Sequence, residues 1–275
     1  MRPSTFLAIS LASLTTTLPT LDTRESSNTT SSNSAPCATG VHIIVARAST
    51  EVPGEGIIGA VADQVVKAVP GSDSEAVGYP ATLLDYLTSE GTGVKVMTNM
   101  IETYTMRCPQ SKLVLMGYSQ GAQVVGDVMC GTSTPAFNST PPILIAMTKN
   151  IVAIIQMGDP SHIPNLPQDV GDSSKAGIFK RPNTNSTSCM AMEPITKNFC
   201  SADDRFCDSG TSTAVHLSYV REFGVQAREF VIQKARAAIM ESSNTGTPKP
   251  NGAREARDGP AVWMACAFSI LMMVV

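Results

Sequence analysis

One stretch limits what this chain can fold into more than any other: Leu113-Val-Leu-Met-Gly117-Tyr118-Ser119-Gln120-Gly121. Lys112–Met116 is a short, almost wholly apolar run and reads as a buried strand. G-x-S-x-G follows, and residues 120–130 then have helical spacing. A serine between two glycines, at the passage from strand to helix, is the pattern of a tight turn that holds the hydroxyl strained and exposed. The helix beyond it aims free N–H groups, and the positive end of its dipole, at any anion forming there. The N–H of Gln120 is the first expected donor. An ordinary glycine-rich βα turn is the competing reading, and the strand–turn–helix context favours the nucleophile.

The surrounding pattern agrees with that turn. Strand-like apolar runs occur at Val41–Arg47 and Ile151–Ile155, and helical spacing at 56–69, 91–107 and 219–241. Apolar runs without alternation, separated by helices, indicate a parallel sheet covered on both faces. The expected fold is therefore α/β, a three-layer α/β/α sandwich of about residues 36–241. Sites in such sheets lie at the C-terminal ends of the strands. With 43% hydrophobic residues the chain has material for a core, and its net charge of −3 argues against nucleic acid as a partner.

A serine needs a base. The histidines are His42, His162 and His216. In this strand–turn–helix arrangement the order is serine, acid, histidine. His42 precedes the serine and lies in an apolar strand. His162 follows a strand end and competes. His216 comes late, before the last helix, and is favoured. For the acid, Asp203, Asp204 and Asp208 all lie in Cys200-Ser-Ala-Asp-Asp-Arg-Phe-Cys207-Asp208, and residue chemistry alone leaves them open. Two of these are expected to be solvated loop charges. Asp159, in Gly158-Asp-Pro-Ser-His162, reads as a structural turn residue.

The ends read as addresses. Arg2 followed by Phe6–Leu14 fits a secretory signal peptide over residues 1–20. Residues 21–35 are a Ser/Thr/Asn-rich leader expected to be disordered. At the other end, Asn251-Gly-Ala, a polar spacer and the apolar run Ala261–Val275 have the layout of a glycolipid (GPI) attachment signal. Residues 242–260 form its linker, with Asn251 the expected attachment site and Gly252 next. The tail is shorter than the ~20 residues of a membrane-spanning helix, so the only membrane association expected is through the anchor. Secretion places the cysteines in an oxidising compartment, where disulfides form. Cys266 would leave with the tail, and Cys37, Cys108, Cys130, Cys189, Cys200 and Cys207 remain. Asn28, Asn138 and Asn185 begin glycosylation sequons.

Four motifs in order carry a resemblance: Ala46-Arg-Ala-Ser-Thr-Glu51 after the first strand, Gly117-Tyr-Ser-Gln-Gly121, Asp204-Arg-Phe-Cys207, and His216-Leu-Ser-Tyr219. Over roughly residues 37–241 the chain resembles the cutinase and acetylxylan esterase family of secreted serine esterases. The resemblance implies a cutinase-like α/β-hydrolase without a lid. It selects Asp204 as the acid and His216 as the base, and makes Ser49 the second oxyanion contributor beside Gln120. It also implies disulfides Cys37–Cys108, Cys200–Cys207 and Cys130–Cys189, the last as in the acetylxylan esterase branch. One departure is Ala48, where cutinases often have glycine.

The expected chemistry is two-step acyl transfer by Ser119, His216 and Asp204, without metal or cofactor. The expected substrate is a polymeric ester, acetylated xylan or cutin, handled by a monomer at the cell surface or wall. A non-catalytic wall-associated protein on the same fold, or a thioesterase or lipase, are the other readings.

Overall fold

The computed structural model describes residues 36–181 and 187–245. The signal, the leader, Asn28, Asn185, Asn251 and the apolar tail lie outside them. Six strands form one parallel sheet: β1 (Val41–Ala46), β2 (Asp73–Ala76), β3 (Lys112–Tyr118), β4 (Ile151–Met157), β5 (Asp169–Val170) and β6 (Thr196–Phe199), in the order β2-β1-β3-β4-β6-β5. The helices are α1 (Gly59–Ala68), α2 (Tyr86–Arg107), α3 (Gln120–Cys130), α4 (Thr187–Met192), α5 (Thr213–His216) and α6 (Tyr219–Thr245).

The central strands are apolar on both sides because both faces are covered. In β1, Val41, Ile43 and Val45 meet α1 and α6 through Val61, Val65, Ala227 and Val231. Ile44 points the other way, with Leu113 and Leu115, against Val94 and Met97 of α2 and Val124 and Val128 of α3. This is the three-layer α/β/α fold. Helix α2 buries Val94, Met97, Ile101 and Tyr104, one stripe at helical spacing. Helix α3 lies between sheet and α2 and is buried on all sides from Gln120 to Met129.

Three disulfides tie the layers: Cys37–Cys108 joins the start of β1 to the end of α2, Cys130–Cys189 joins α3 to α4, and Cys200–Cys207 closes the loop after β6.

Two boundaries differ from the sequence reading. Helix α2 starts at Tyr86 rather than near residue 91. Helix α6 continues through Thr245, so the stretch taken as linker from 242 begins as helix. The hydroxyls of Ser242 and Ser243 bond to the carbonyls of Ala238 and Ile239, four residues back, so these serines sit in the helix without breaking it.

Candidate active site

The site lies where β1, β3, β4 and β6 end. Ser119 directly follows β3 with φ 53° and ψ −119°, a left-handed φ that side-chain-bearing residues rarely adopt. The turn is held from both sides. Ser119 N–H donates to the Met157 carbonyl (2.8 Å), and the Ser119 carbonyl accepts from Ala122 N (2.9 Å) and Gln123 N (3.1 Å). The two glycines are needed for approach rather than for φ. A Cβ at residue 117 would stand 2.3 Å from the Gly121 carbonyl oxygen, and one at 121 would stand 2.1 Å from that of Ala46.

His216, at the end of α5, reaches back to this serine. Its Nε2 lies 2.9 Å from Ser119 Oγ, and its Nδ1 lies 2.9 Å from Asp204 Oδ2. A neutral ring with its proton on Nδ1 donates to Asp204 and leaves Nε2 to accept from the serine hydroxyl. The Tyr118 hydroxyl donates to the His216 carbonyl. The Phe206 ring lies 4.5 Å from the imidazole, edge-on.

Asp204 is fully buried, inside the loop closed by Cys200–Cys207. Besides His216 it accepts from Phe206 N (2.6 Å), Cys207 N (2.8 Å) and the Tyr219 hydroxyl (2.8 Å). Burial pushes its pKa up. The bond from His216, the positive charge that His216 carries when protonated and the two N–H donors pull harder, so the carboxyl lies below its ordinary value.

The other candidates lie elsewhere. Asp203 caps the loop by accepting from Thr211 N (2.8 Å). Asp208 is not a solvated loop charge, as the sequence reading had it. It is buried and accepts from Ser173 Oγ, Ser174 N, Lys175 N and Asp203 N. Burial raises its pKa, but these donors lower it on balance. The sequence showed no reason for residues 173–175 to come back to this loop. Asp159 turns the chain after β4 by accepting from Ser161 N (2.8 Å). His162 is buried, 3.8 Å from Asp169. His42 stacks on Tyr104 (centroids 3.8 Å apart) and bonds to Asp73.

Ser49, in the loop after β1, lines the same cleft as Ser119, and Gln120 opens α3. The Ser49 hydroxyl is a buried polar atom with no hydrogen-bond partner among the described residues. Ala48 before it is not in the left-handed region; Thr50 after it is, with φ 69°. The methyl group that replaces glycine at Ala48 is therefore accommodated.

These residues open into a cleft of about 500 Å³ lined by Ser49, Tyr86, Ser119, Phe179, His216 and Leu217, among others. Its rim is apolar: Leu83, Ile178 and Leu217 are 57%, 46% and 65% exposed. Tyr86 and Phe179 carry no motif and escaped the sequence reading. Their rings meet each other (5.4 Å) and Phe137 (6.1 and 5.2 Å) only through the tertiary fold. Among the described residues, no group of three or more His, Cys, Asp or Glu could hold a metal ion.

A parallel sheet whose strand ends bring a serine elbow, a histidine and a buried aspartate into one hydrogen-bonded line defines the α/β-hydrolase class. The family model described as Cutinase matches residues 37–235. The chain belongs to that family and is a carboxylic ester hydrolase. It is 34% identical over 204 residues to acetylxylan esterase 2 of Talaromyces purpureogenus, covering 70% of this chain and 86% of that one. It is 31% identical over 204 residues to cutinase 11 of Verticillium dahliae, covering 70% and 68%. The solved catalytic core of acetyl xylan esterase from Trichoderma reesei matches with TM-score 0.67 and 32% identity, covering 72% of this chain and all of that one.

Proposed function

We propose that the chain cleaves acetyl esters on a plant cell-wall polysaccharide, as an acetylxylan esterase, through Ser119, His216 and Asp204. One observation carries the mechanism: His216 bridges Ser119 Oγ and Asp204 Oδ2 at 2.9 Å each. His216 takes the serine proton as Oγ attacks the ester carbonyl, and Asp204 holds the ring and balances its charge. The N–H of Gln120 and the N–H and hydroxyl of Ser49 receive the oxyanion. The alcohol leaves with the proton from His216. Water, activated by the same histidine, then releases the acid. Identity to acetylxylan esterases supports the substrate.

Cutin is the second reading, and the apolar rim of Leu83, Ile178 and Leu217 favours it, because a polysaccharide offers little to such side chains. The two separate on p-nitrophenyl esters of increasing acyl length. A steep preference for acetyl supports the polysaccharide, and good rates at butyryl and longer support cutin. Ser119→Ala should abolish both hydrolysis and fluorophosphonate labelling; activity that survives it would sink the mechanism.

The same proposal includes secretion, a GPI anchor at Asn251 and a monomer, since one chain supplies every group of the site. Asn138 is exposed, as a glycosylation site requires. No helix of the described residues is long and apolar enough to cross a membrane.

A further inference from the structure

The stretch Ala46-Arg-Ala-Ser-Thr-Glu51 contains more than the reaction uses. Arg47 is 3% exposed. Its Nε donates to the Glu51 carbonyl (3.0 Å), and its Nη2 donates to the carbonyls of Tyr79 (2.7 Å) and Pro80 (3.2 Å). Tyr79 answers by donating its hydroxyl to the Arg47 carbonyl (2.5 Å), and the guanidinium carbon lies 5.1 Å from the centre of its ring. The Glu51 carboxylate turns inward. Its Oε2 accepts from Ala48 N (2.7 Å) and its Oε1 from Ile57 N (2.8 Å). Gly56 covers it so closely that a Cβ would stand 2.0 Å from Oε2. Thr50 is held in its left-handed conformation by its N–H, which donates to the Ala81 carbonyl (2.7 Å).

The N–H groups on either side of Ser49 are therefore both committed, one to a carboxylate and one to a neighbouring loop. The Ser49 hydroxyl has no partner among the described residues and lines the cleft with Ser119. We propose that Arg47 and Glu51 are positioning residues that set the oxyanion donors of Ser49 before substrate arrives. This rests on the triad reading above. Donors fixed in advance stabilise developing charge without reorganising at the moment of reaction, and small displacements are costly. An arginine fork can meet three carbonyls at once, whereas a lysine ammonium is a single point of charge.

The test uses Glu51→Gln, which keeps the size but leaves one acceptor where the carboxylate offered two, to Ala48 N–H and Ile57 N–H, and Arg47→Lys as the second variant should the first fail to fold. Each is compared with wild type below its measured Tm. The substrate is p-nitrophenyl acetate, and phenylboronic acid is the tetrahedral probe. Losing one oxyanion donor costs roughly 10²–10³ in kcat, so displacing one should cost about 10- to 100-fold, with KM within about twofold. Boronate affinity should fall by the same factor as kcat/KM, because both depend on the oxyanion geometry. A folded variant with wild-type kcat and boronate affinity overturns the proposal. So does a loss confined to KM, or a lower Tm with unchanged turnover. Activity that persists in Ser119→Ala would instead remove the triad reading on which the proposal rests.

Discussion

Glu90 offers the sharpest test of the physical reading, because it lies outside the chemistry. It sits on α2, 2% exposed, and its Oε1 has no hydrogen-bond partner among the described residues. Burial, and then the negative charge of Asp127, push its pKa from 4.5 up to about 9, against the pull of Arg181. The folded protein therefore holds a proton on Glu90 at neutral pH that the unfolded chain releases. Folding takes up that proton throughout the window between about 4.5 and 9, so stability falls as pH rises across it. At pH 7 the cost is about 2.5 pH units at roughly 1.4 kcal/mol each, or about 3 kcal/mol. Glu90→Gln removes the titration but adds an N–H to satisfy, at about 1–3 kcal/mol. The variant should gain up to about 2 kcal/mol at pH 7, or up to roughly 6 °C in Tm. Its advantage should grow with pH up to about 9 and vanish between about pH 5 and 7, below which the variant is the less stable protein. Thermal unfolding of both proteins from pH 5 to 9 at constant ionic strength measures this, with hydrolysis expected to stay at wild-type level. A Tm difference that does not change with pH would refute the argument: Glu90 would then be ionised and paired.

Asp204→Asn should lower kcat by about 10⁴-fold with KM little changed, because the ring of His216 loses its tautomer, as steady-state kinetics would report. Its folded pKa is lowered, so Asp204 contributes stability above its unfolded value of about 3.9 that is lost as pH falls through the folded value. In acid unfolding, Asp204→Asn should remove that limb. Tyr219→Phe deletes one donor to Asp204 and one acceptor for Ser201 N, and should cost about 1–3 kcal/mol in thermal unfolding. Gly121→Ala, aimed at the Ala46 carbonyl, should leave little folded enzyme, as circular dichroism and fluorophosphonate labelling would show.

What could be read without the fold was what is local. The elbow lies within nine residues, and its requirements of strand, small neighbours and helix are all contiguous. The chain order of acid and histidine separated His216 from His42 and His162. The acid was a harder choice. Asp203, Asp204 and Asp208 have the same chemistry, and what separates them is which carboxylate the fold brings to His216. Only the resemblance pointed to Asp204. Strands β2 and β6 were missed because Asp73–Ala76 and Thr196–Phe199 are short and half polar; they owe their strand conformation to pairing with the apolar strands β1 and β4. The buried pair of Arg181 and Asp127 (2.6 Å) was invisible too, since nothing local marks a loop arginine as buried.

The same division explains why the reaction is easier to read than the substrate. The groups proposed for the chemistry sit where local constraints accumulate. A serine is held in a strained turn, an aspartate is closed in by a disulfide and two N–H donors, and an oxyanion loop has its flanking amides committed. Such constraints leave marks in sequence as glycines, cysteines and charged residues at fixed spacing. The cleft walls come from residues 83–86, 178–179 and 217, three segments far apart in the chain. Their apolar side chains could as well have been core. Tyr86 is fixed by donating its hydroxyl to Gln123 Oε1 (2.8 Å) and by its contacts with Phe179 and Phe137, while Leu83 and Leu217 stand largely in solvent. Side chains under so few constraints can change without disturbing the triad. Acyl preference should therefore respond to Leu83→Ala and Leu217→Ala in the ratio of acetyl to butyryl rates, with Tm nearly unchanged. If both ratios stay at the wild-type value, the rim does not touch the acyl chain, and the apolar rim no longer argues for cutin.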